Sequence, residues 1–246
     1  MSLETNRVYL GDALELIRDV ADGSVDMVFM DPPYGHKNND GDLISNREAA
    51  LGRGKPGNAR PIANDGAEAN EVLRAILSEI KRVLVPGGGV CCCGGGGPDP
   101  KFARWSLMLD EAIGFKMAVV WDKGPMGMGW HYRRSYEMVL VAMKDGAACK
   151  WYDDSQRIEN VIRHIPKILP QKDQHPTEKP IELAQHFIRL HSQPGELVLD
   201  PFAGSGSTLV AAKRERRRFL GFEIDPRWYE MARRRIADAV EEPGLV

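Results

Sequence analysis

Short apolar runs alternate with longer amphipathic segments along most of this 246-residue chain. Apolar residues recur at helical spacing through residues 72–84, so we predict a helix over residues 67–84. The run at residues 197–199 has no polar partner, as in a strand of a parallel sheet that is covered on both faces. By the same criteria we predict strands at residues 8–10, 25–30, 90–93, 116–121, 137–143 and 219–222, and helices at residues 13–20, 102–113, 180–190, 207–214 and 226–240. Strands that alternate with helices predict a doubly wound α/β sheet.

Two segments do not follow this alternation. Residues 35–66 are rich in Gly, Asn and charge and are too long for an ordinary connection, so we predict a mobile loop insertion there. Residues 145–175 are irregular, with Trp151, Tyr152 and charges of both signs. Long excursions from a rigid α/β scaffold usually carry recognition, so we expect both segments to serve binding.

Composition excludes several classes of protein. No apolar run approaches the roughly 18 residues that a membrane-spanning helix needs. The N-terminus lacks a basic stretch followed by an apolar one, so we expect a cytoplasmic protein with no signal peptide and no membrane partner.

Cys91, Cys92 and Cys93 are adjacent, which fits neither a disulfide framework nor a zinc motif and indicates a buried strand. The six histidines have no spacing that predicts a metal site.

The net charge of −2 does not indicate a dedicated nucleic-acid binder, so local charge matters more. Residues 213–218 (KRERRR) and 233–235 are basic, and we interpret them as solvated helix faces. Arg47, Arg53 and Lys55 lie in a Gly-rich stretch with one acidic residue, which favours contacts to phosphates.

Polar motifs follow two of the predicted strands. Asp31 to Tyr34 (DPPY) come directly after residues 25–30, although an acid, two prolines and a tyrosine are unusual in a buried strand. Asp200 ends the later strand, and Gly204 and Gly206 lead into a helix whose first N–H groups can face a ligand. Glu223 follows 23 residues after Asp200, about the spacing at which an acid meets ribose hydroxyls. The turn lacks the third glycine of the dinucleotide fingerprint, because Leu209 stands there, so NAD is disfavoured.

These motifs resemble those of the permuted (β-group) DNA amino-methyltransferases that use S-adenosyl-L-methionine (SAM). DPPY resembles their catalytic motif, and DPFAGSGST at residues 200–208 resembles their SAM loop, in the same order. HPTEKP at residues 175–180 resembles the motif just before that loop, GDALELI at residues 11–17 the N-terminal strand end, and residues 121–144 the late catalytic-half strands. The resemblance covers nearly the whole chain. It implies one catalytic domain over residues 1–246, built on a mostly parallel seven-stranded sheet with one antiparallel strand.

The resemblance also implies the residues of the two sites. It places the catalytic motif at Asp31, Pro32, Pro33 and Tyr34, with Asp31 and the Pro32 carbonyl accepting the amino hydrogens of the target and Tyr34 stacking on a flipped base. It assigns residues 145–175 as a short target-recognition segment, with Arg133 and Arg134 as further DNA contacts. SAM is expected to contact Asp12, Ala13, Asp200, Pro201, Phe202, Gly204, Ser205, Gly206, Ser207, Thr208, Glu223, Thr177 and Lys179. Asp12 could instead cap the following helix, and Asp225 fits an N-cap better than a ligand.

We therefore expect methylation of adenine N6 in DNA. Aspartate in the first position of the catalytic motif favours adenine, whereas the family's cytosine-N4 enzymes more often carry serine there; cytosine N4 remains the alternative. RNA or protein-glutamine methyltransferases are disfavoured by the motif order, and a catalytically dead nucleic-acid-binding module is disfavoured by the intact motifs. The resemblance leaves open a homodimer and a partner restriction endonuclease.

Overall fold

The computed structural model describes residues 3–34, 66, 68–94, 101–125, 131, 133–168, 175 and 177–241. These residues form one mixed sheet with helices on both faces. The predicted loop insertion at residues 35–66 lies outside the described residues except for Gly66. The strands are β1 (Arg7–Leu10), β2 (Val25–Met30), β3 (Leu84–Gly94), β4 (Phe115–Asp122), β5 (Tyr136–Met143), β6 (Val161–Ile162), β7 (Leu197–Asp200) and β8 (Arg218–Glu223). The helices are α1 (Ala13–Leu16), α2 (Ala69–Val83), α3 (Lys101–Ala112), α4 (Ile181–His191), α5 (Ser207–Arg214) and α6 (Pro226–Asp238).

The strands lie in the order β1-β8-β7-β2-β3-β5-β4-β6. Strand β5 is antiparallel to both of its neighbours, and all the other neighbouring pairs are parallel. The mostly parallel, doubly wound α/β fold with one antiparallel strand is thus confirmed. The expected count of seven strands is wrong, because the two-residue strand β6 pairs with Val120 and Trp121 at the edge of the sheet.

Strand β3 starts earlier than the sequence predicts. The helix was predicted to run to residue 84, shortly before Pro86 and Gly87, a pair that is typical of turns. Instead α2 ends at Val83, and Leu84 already pairs with Val25 of β2. The register then shifts before Gly89 pairs with Met27, so the Pro-Gly turn is absorbed as an irregularity inside the strand. Pairing with a buried neighbour therefore outweighs the local turn signal.

Side chains of β2 alternate between two cores, as a strand covered on both faces requires. Val28 and Met30 pack into the core beneath α2 and α3. Met27 and Phe29 pack into the opposite core, where Phe29 meets Phe187 of α4 with ring centroids 5.8 Å apart. The three adjacent cysteines follow the same rule and are all buried in β3, which confirms their interpretation as a strand. No helix in the described part of the chain combines the length and the apolar character that crossing a membrane would need.

Candidate active site

The two polar motifs meet at the edge of the sheet formed by the carboxyl ends of its parallel strands. Strands β2 and β7 are parallel neighbours, with Met27 paired to Val198 and Val28 to Leu199. Parallel strands end at the same edge, so Asp31 directly after β2 and Asp200 at the end of β7 lie close together. This is the edge at which open α/β sheets bind their ligands.

Asp31 is held by two side chains, one on each carboxylate oxygen. The Tyr34 hydroxyl donates to Oδ1 at 2.6 Å, and the Lys179 ammonium donates to Oδ2 at 2.6 Å. Burial, and then the charge of Asp31, raises the pKa of Tyr34, so its hydroxyl keeps the proton that it donates. Pro32 and Pro33, which separate Asp31 from Tyr34 in the sequence, are buried and have no N–H to compete for the carboxylate. The DPPY turn therefore presents a fixed, partly exposed anion.

Lys179 also belongs to a row of alternating charges. Its Nζ lies 3.5 Å from Oε2 of Glu137 at the start of β5, and Oε1 of Glu137 accepts a hydrogen bond from Lys123 at 2.8 Å. Burial by itself would lower the pKa of Lys179, but the charges of Asp31 and Glu137 outweigh it and raise that pKa. Burial would likewise raise the pKa of Glu137, but Lys179 and Lys123 lower it to about 2. Lys179 and Glu137 are thus both charged at neutral pH, and each lies between two side chains of the opposite charge type.

The glycine-rich turn after β7 is tightly folded. Gly204 and Gly206 adopt φ values of +51° and +82°, where a side chain is strained. A Cβ at Gly206 would also lie 2.9 Å from the Cβ of Ala232 in α6. Gly206 is the N-cap of α5, so the first N–H groups of that helix open at this turn. Both glycines are therefore needed for the turn to exist in this form.

Two carboxylates hold the turn in place. Oδ1 of Asp200 accepts from the Phe202 N–H at 3.0 Å, and Oε2 of Glu223 accepts from the Gly204 N–H at 2.7 Å. Burial raises the pKa of Asp200 to about 7, against the lowering effect of its hydrogen bonds to Thr208 and Phe202. Burial also raises the pKa of Glu223. Oε1 of Glu223 accepts from the Asp225 N–H at 2.8 Å. A carboxylate offers about four lone-pair sites, so Glu223 retains capacity for a ribose hydroxyl.

The last helix ties the glycine-rich turn to the HPTEKP segment. Nη1 of Arg235 donates to the carbonyl of Ser205 at 2.9 Å and to its hydroxyl at 2.6 Å. Nη2 of the same guanidinium lies 2.8 Å from Oε1 of Glu178. Glu178 thus contacts the group that holds the turn, while the next residue, Lys179, contacts Asp31.

The other predicted site residues divide into three groups. Asp12 caps α1, the alternative that the sequence left open for it, with Oδ1 accepting from the Leu14 N–H at 2.8 Å. Asp225 caps α6, as expected. Arg133 is exposed and Arg134 half-buried, just before β5 at the Asp31 edge, whereas Arg47, Arg53 and Lys55 lie outside the described residues. The remaining predicted cofactor residues are buried or half-buried at strand ends or at helix starts along the same edge: Ala13, Pro201, Phe202, Ser207, Thr208 and Thr177.

The described part of the predicted recognition segment, residues 145–168, begins at the end of the sheet opposite to Asp31 and continues to the end at which Asp31 lies. Lys150 lies at the edge opposite to Asp31, where its ammonium donates to Asp26 at 2.9 Å. Farther along, Ile162 pairs with Trp121, and the carbonyl of Ile165 accepts from the Trp121 indole at 2.7 Å. Within the described residues 145–168, the stretch around Lys150 therefore serves the fold, and the later residues approach the Asp31 edge.

Comparison with known proteins identifies the family. The model of the N6/N4 DNA methylase family matches residues 25–234. The chain belongs to this family. The match includes both strand ends described above, and it confirms the family and the enzyme class expected from the motifs.

Individual relatives agree with this assignment. The chain is 27% identical to the Type II methyltransferase M.HhaII of Haemophilus parahaemolyticus, over 87% of this chain and 88% of that protein. It is 26% identical to the DNA adenine methyltransferase YhdJ of Escherichia coli K12, over 95% of this chain and 83% of that protein. Its fold matches TTHA0409 of Thermus thermophilus, solved with S-adenosyl-L-methionine, with a TM-score of 0.67, 27% identity and 95% coverage of both chains. The expectation of SAM as the cofactor is thereby confirmed.

Three residues of this site escaped the sequence analysis. Glu137 is a single acid at the start of an otherwise apolar strand, and such an isolated charge is a detectable signal for a buried ion pair. Arg235 was interpreted as part of a solvated basic face, but only a quarter of its side chain is exposed. Lys123 gave no signal of its own, because its partner Glu137 comes from a different strand.

Proposed function

We propose that this chain transfers a methyl group from SAM to the exocyclic N6 of an adenine in DNA. The observation that carries the proposal is the position of Asp31, an anchored and partly exposed carboxylate directly beside the glycine-rich turn after β7. A methyl donor on that turn and a base at Asp31 would share one edge of the sheet. Positioning of two reactants side by side is the main requirement of such a transfer.

The chemistry accounts for the composition of the DPPY turn. The exocyclic amine of adenine is a weak nucleophile, because its lone pair is delocalised into the ring. Acceptors aimed at its two N–H bonds favour the tetrahedral geometry that attack requires, and we assign these roles to the Asp31 carboxylate and the Pro32 carbonyl. Bound SAM supplies a methyl group on a positively charged sulfur as the electrophile. Preorganised acceptors of this kind act on the transition state.

Tyr34 has two roles in this proposal. Its hydroxyl orients Asp31, as its 2.6 Å hydrogen bond indicates. Its ring supplies the stacking surface for a base that has left the duplex, which returns roughly 1–3 kcal/mol. The edge of Trp105 packs against the Tyr34 ring at a centroid distance of 5.7 Å and supports this position.

The donor set at the turn fits SAM. We assign the ribose hydroxyls to Glu223, whose carboxylate is already oriented by two backbone N–H groups. Asp12 uses one oxygen to cap α1 and has a second oxygen for the cofactor. The turn from Asp200 to Thr208 and the neighbouring residues Ala13 and Thr177 complete the proposed contact surface. Arg133 and Arg134 lie at the same edge and are assigned to DNA phosphates.

Two observations favour adenine over cytosine N4. Aspartate stands where the family's cytosine-N4 enzymes more often carry serine, and the relative YhdJ is a DNA adenine methyltransferase. The fold does not discriminate, because the cytosine-N4-specific PvuII DNA methyltransferase matches it with a TM-score of 0.70 at 18% identity, over 95% of this chain and 87% of that chain. Similarity to the Type II methyltransferase M.HhaII favours a partner restriction endonuclease. A homodimer stays an expectation from the resemblance.

The product nucleoside tests the proposal. The protein is incubated with SAM and unmethylated DNA of mixed sequence, in parallel with Asp31→Ala, and the DNA is digested and analysed by mass spectrometry. We expect N6-methyladenine in the wild-type reaction and none with the variant. N4-methylcytosine would support the alternative base, and the absence of any methylated nucleoside would contradict the proposal and support a catalytically dead module.

A further inference from the structure

Lys179 faces the catalytic carboxylate rather than the cofactor turn. Its Nζ lies 2.6 Å from Oδ2 of Asp31 and 5.3 Å from the centre of the Tyr34 ring. The preceding residue, Glu178, points the other way and binds Arg235, which holds the glycine-rich turn. Adjacent residues of one segment thus serve two different parts of the site.

Two donors fix the plane of the Asp31 carboxylate. Rotation of a carboxylate about its terminal bond is otherwise broad and roughly two-fold. Tyr34 anchors Oδ1 and Lys179 anchors Oδ2, both at 2.6 Å, so this rotation is constrained from both sides. Each oxygen of an ionised carboxylate can accept about two hydrogen bonds, so both keep capacity for an amino hydrogen of the substrate.

The ammonium also lies near a second carboxylate. Glu137 Oε2 lies 3.5 Å from it, and Lys123 holds Glu137 through a 2.8 Å hydrogen bond. Only 11% of the Lys179 side chain is exposed, so water competes weakly for its hydrogen bonds. Pro180 follows directly and caps α4, which limits the freedom of the backbone at this point.

We propose that Lys179 is a positioning residue for the methyl transfer, which fixes the orientation of the Asp31 carboxylate through its ammonium and does not contribute to SAM affinity. The inference rests on the proposed function, because it assigns to Lys179 an action through Asp31. It replaces the expectation that Lys179 forms an edge of the SAM pocket with a different role, and the two roles predict different kinetics.

The test compares Lys179→Met, Lys179→Arg and a matched control, Lys150→Met. Lys150 is likewise a partly buried lysine that bridges two carboxylates, but at the opposite edge of the sheet. For each variant we would measure kcat at saturating SAM and DNA, the Kd for SAM by calorimetry, and the thermal unfolding temperature, with assays run below unfolding.

Loss of one charge-assisted hydrogen bond predicts a kcat about 10–100-fold lower for Lys179→Met, with a SAM Kd within about twofold of wild type. Lys179→Arg keeps the charge, so its kcat should be about tenfold higher than that of Lys179→Met. It should stay below wild type, because a guanidinium does not reproduce the ammonium geometry. Lys150→Met should keep the wild-type kcat per folded molecule. Retention of a charge that rescues turnover is a result that a merely structural role would not give.

Two results would overturn the inference. One is a wild-type kcat in Lys179→Met with a SAM Kd raised about tenfold or more, which would return Lys179 to the cofactor pocket. The other is an equal loss of kcat in Lys179→Met, Lys179→Arg and Lys150→Met, which would indicate general damage to the fold. Asp31→Ala in the same series distinguishes a failure of the role proposed for Lys179 from a failure of the proposed function. If Asp31→Ala is as active as wild type, the proposed function itself fails.

Discussion

An aspartate lies near each end of strand β2, Asp26 within its first residues and Asp31 directly after it, and a lysine binds each of them. At the amino end, Lys150 donates to Oδ1 of Asp26 at 2.9 Å and also binds Glu196. At the carboxyl end, Lys179 donates to Oδ2 of Asp31 at 2.6 Å and also faces Glu137. The exposed fractions are similar, at 15% for the Asp26 side chain and 23% for that of Asp31.

The two ends differ in what else holds the carboxylate. Oδ2 of Asp26 accepts the backbone N–H of Leu197 at 2.8 Å, so this aspartate joins the start of β7 to β2. Among the described residues, only side chains bind Asp31, and its carboxylate is partly exposed. At the carboxyl edge the turn after β7 and the first N–H groups of α5 also converge, because helices start there in a parallel sheet. The same ion-pair chemistry therefore stabilises the fold at one end and, under the proposed function, orients a reacting group at the other.

The largest expected effect separates Asp31→Ala from Asp26→Ala. Removal of the proposed acceptor should lower kcat by about 10³-fold or more, whereas Asp26→Ala should leave the turnover per folded molecule within about threefold of wild type. Transfer of labelled methyl groups at saturating SAM and DNA measures both, with circular dichroism to determine the folded fraction. Comparable losses of kcat in the two variants would contradict the different roles assigned to Asp31 and Asp26.

The next effect concerns the stability that the ion pairs of Lys150 at the amino end of β2 give to the fold. Lys150→Met leaves Asp26 and Glu196 as neighbouring carboxylates without their shared cation, and it should lower the free energy of unfolding by about 3 kcal/mol. Urea denaturation at pH 7 measures this change. A loss below about 0.5 kcal/mol would place Lys150 among surface ion pairs of little consequence.

A smaller, pH-dependent effect is expected from Asp200. Its pKa of about 7 lies above the ordinary value of 3.8, so the folded state favours the protonated form. The stability from this group is therefore complete below about pH 4 and is lost as the pH rises to about 7. Asp200→Asn does not ionise and should gain on the order of 2 kcal/mol relative to wild type between pH 4 and pH 6. Urea denaturation of both proteins at the two pH values measures the gain, and a constant difference would contradict the shifted pKa.

Local patterns were sufficient to predict most of the fold. The alternation of strands and helices, and the two acids at strand ends, were visible because each depends on a few neighbouring residues. Strand β6 was missed because two residues, Val161 and Ile162, carry no periodicity. The early start of β3 at Leu84 was missed because pairing with β2 overrides the Pro86 turn signal.

The candidate site was predicted less completely, for a related reason. Its motifs were found by their resemblance to a family, but their contacts join residues that are far apart in the chain. Lys179 and Asp31 are 148 positions apart, and Arg235 and Ser205 are 30 apart. No local pattern specifies such a partner, so Lys179 was expected at the cofactor and Arg235 on a solvated face.

The most direct test of the central claim is the structure of this protein bound to SAM. We predict that the cofactor lies on the turn from Asp200 to Gly206, with its methyl carbon roughly 4–6 Å from the nearest Asp31 oxygen, since a methyl–nitrogen approach of about 3 Å and one hydrogen bond must fit between them. Binding of SAM at another edge of the sheet, or a methyl carbon more than roughly 10 Å from Asp31, would contradict a shared site at the carboxyl ends of β2 and β7.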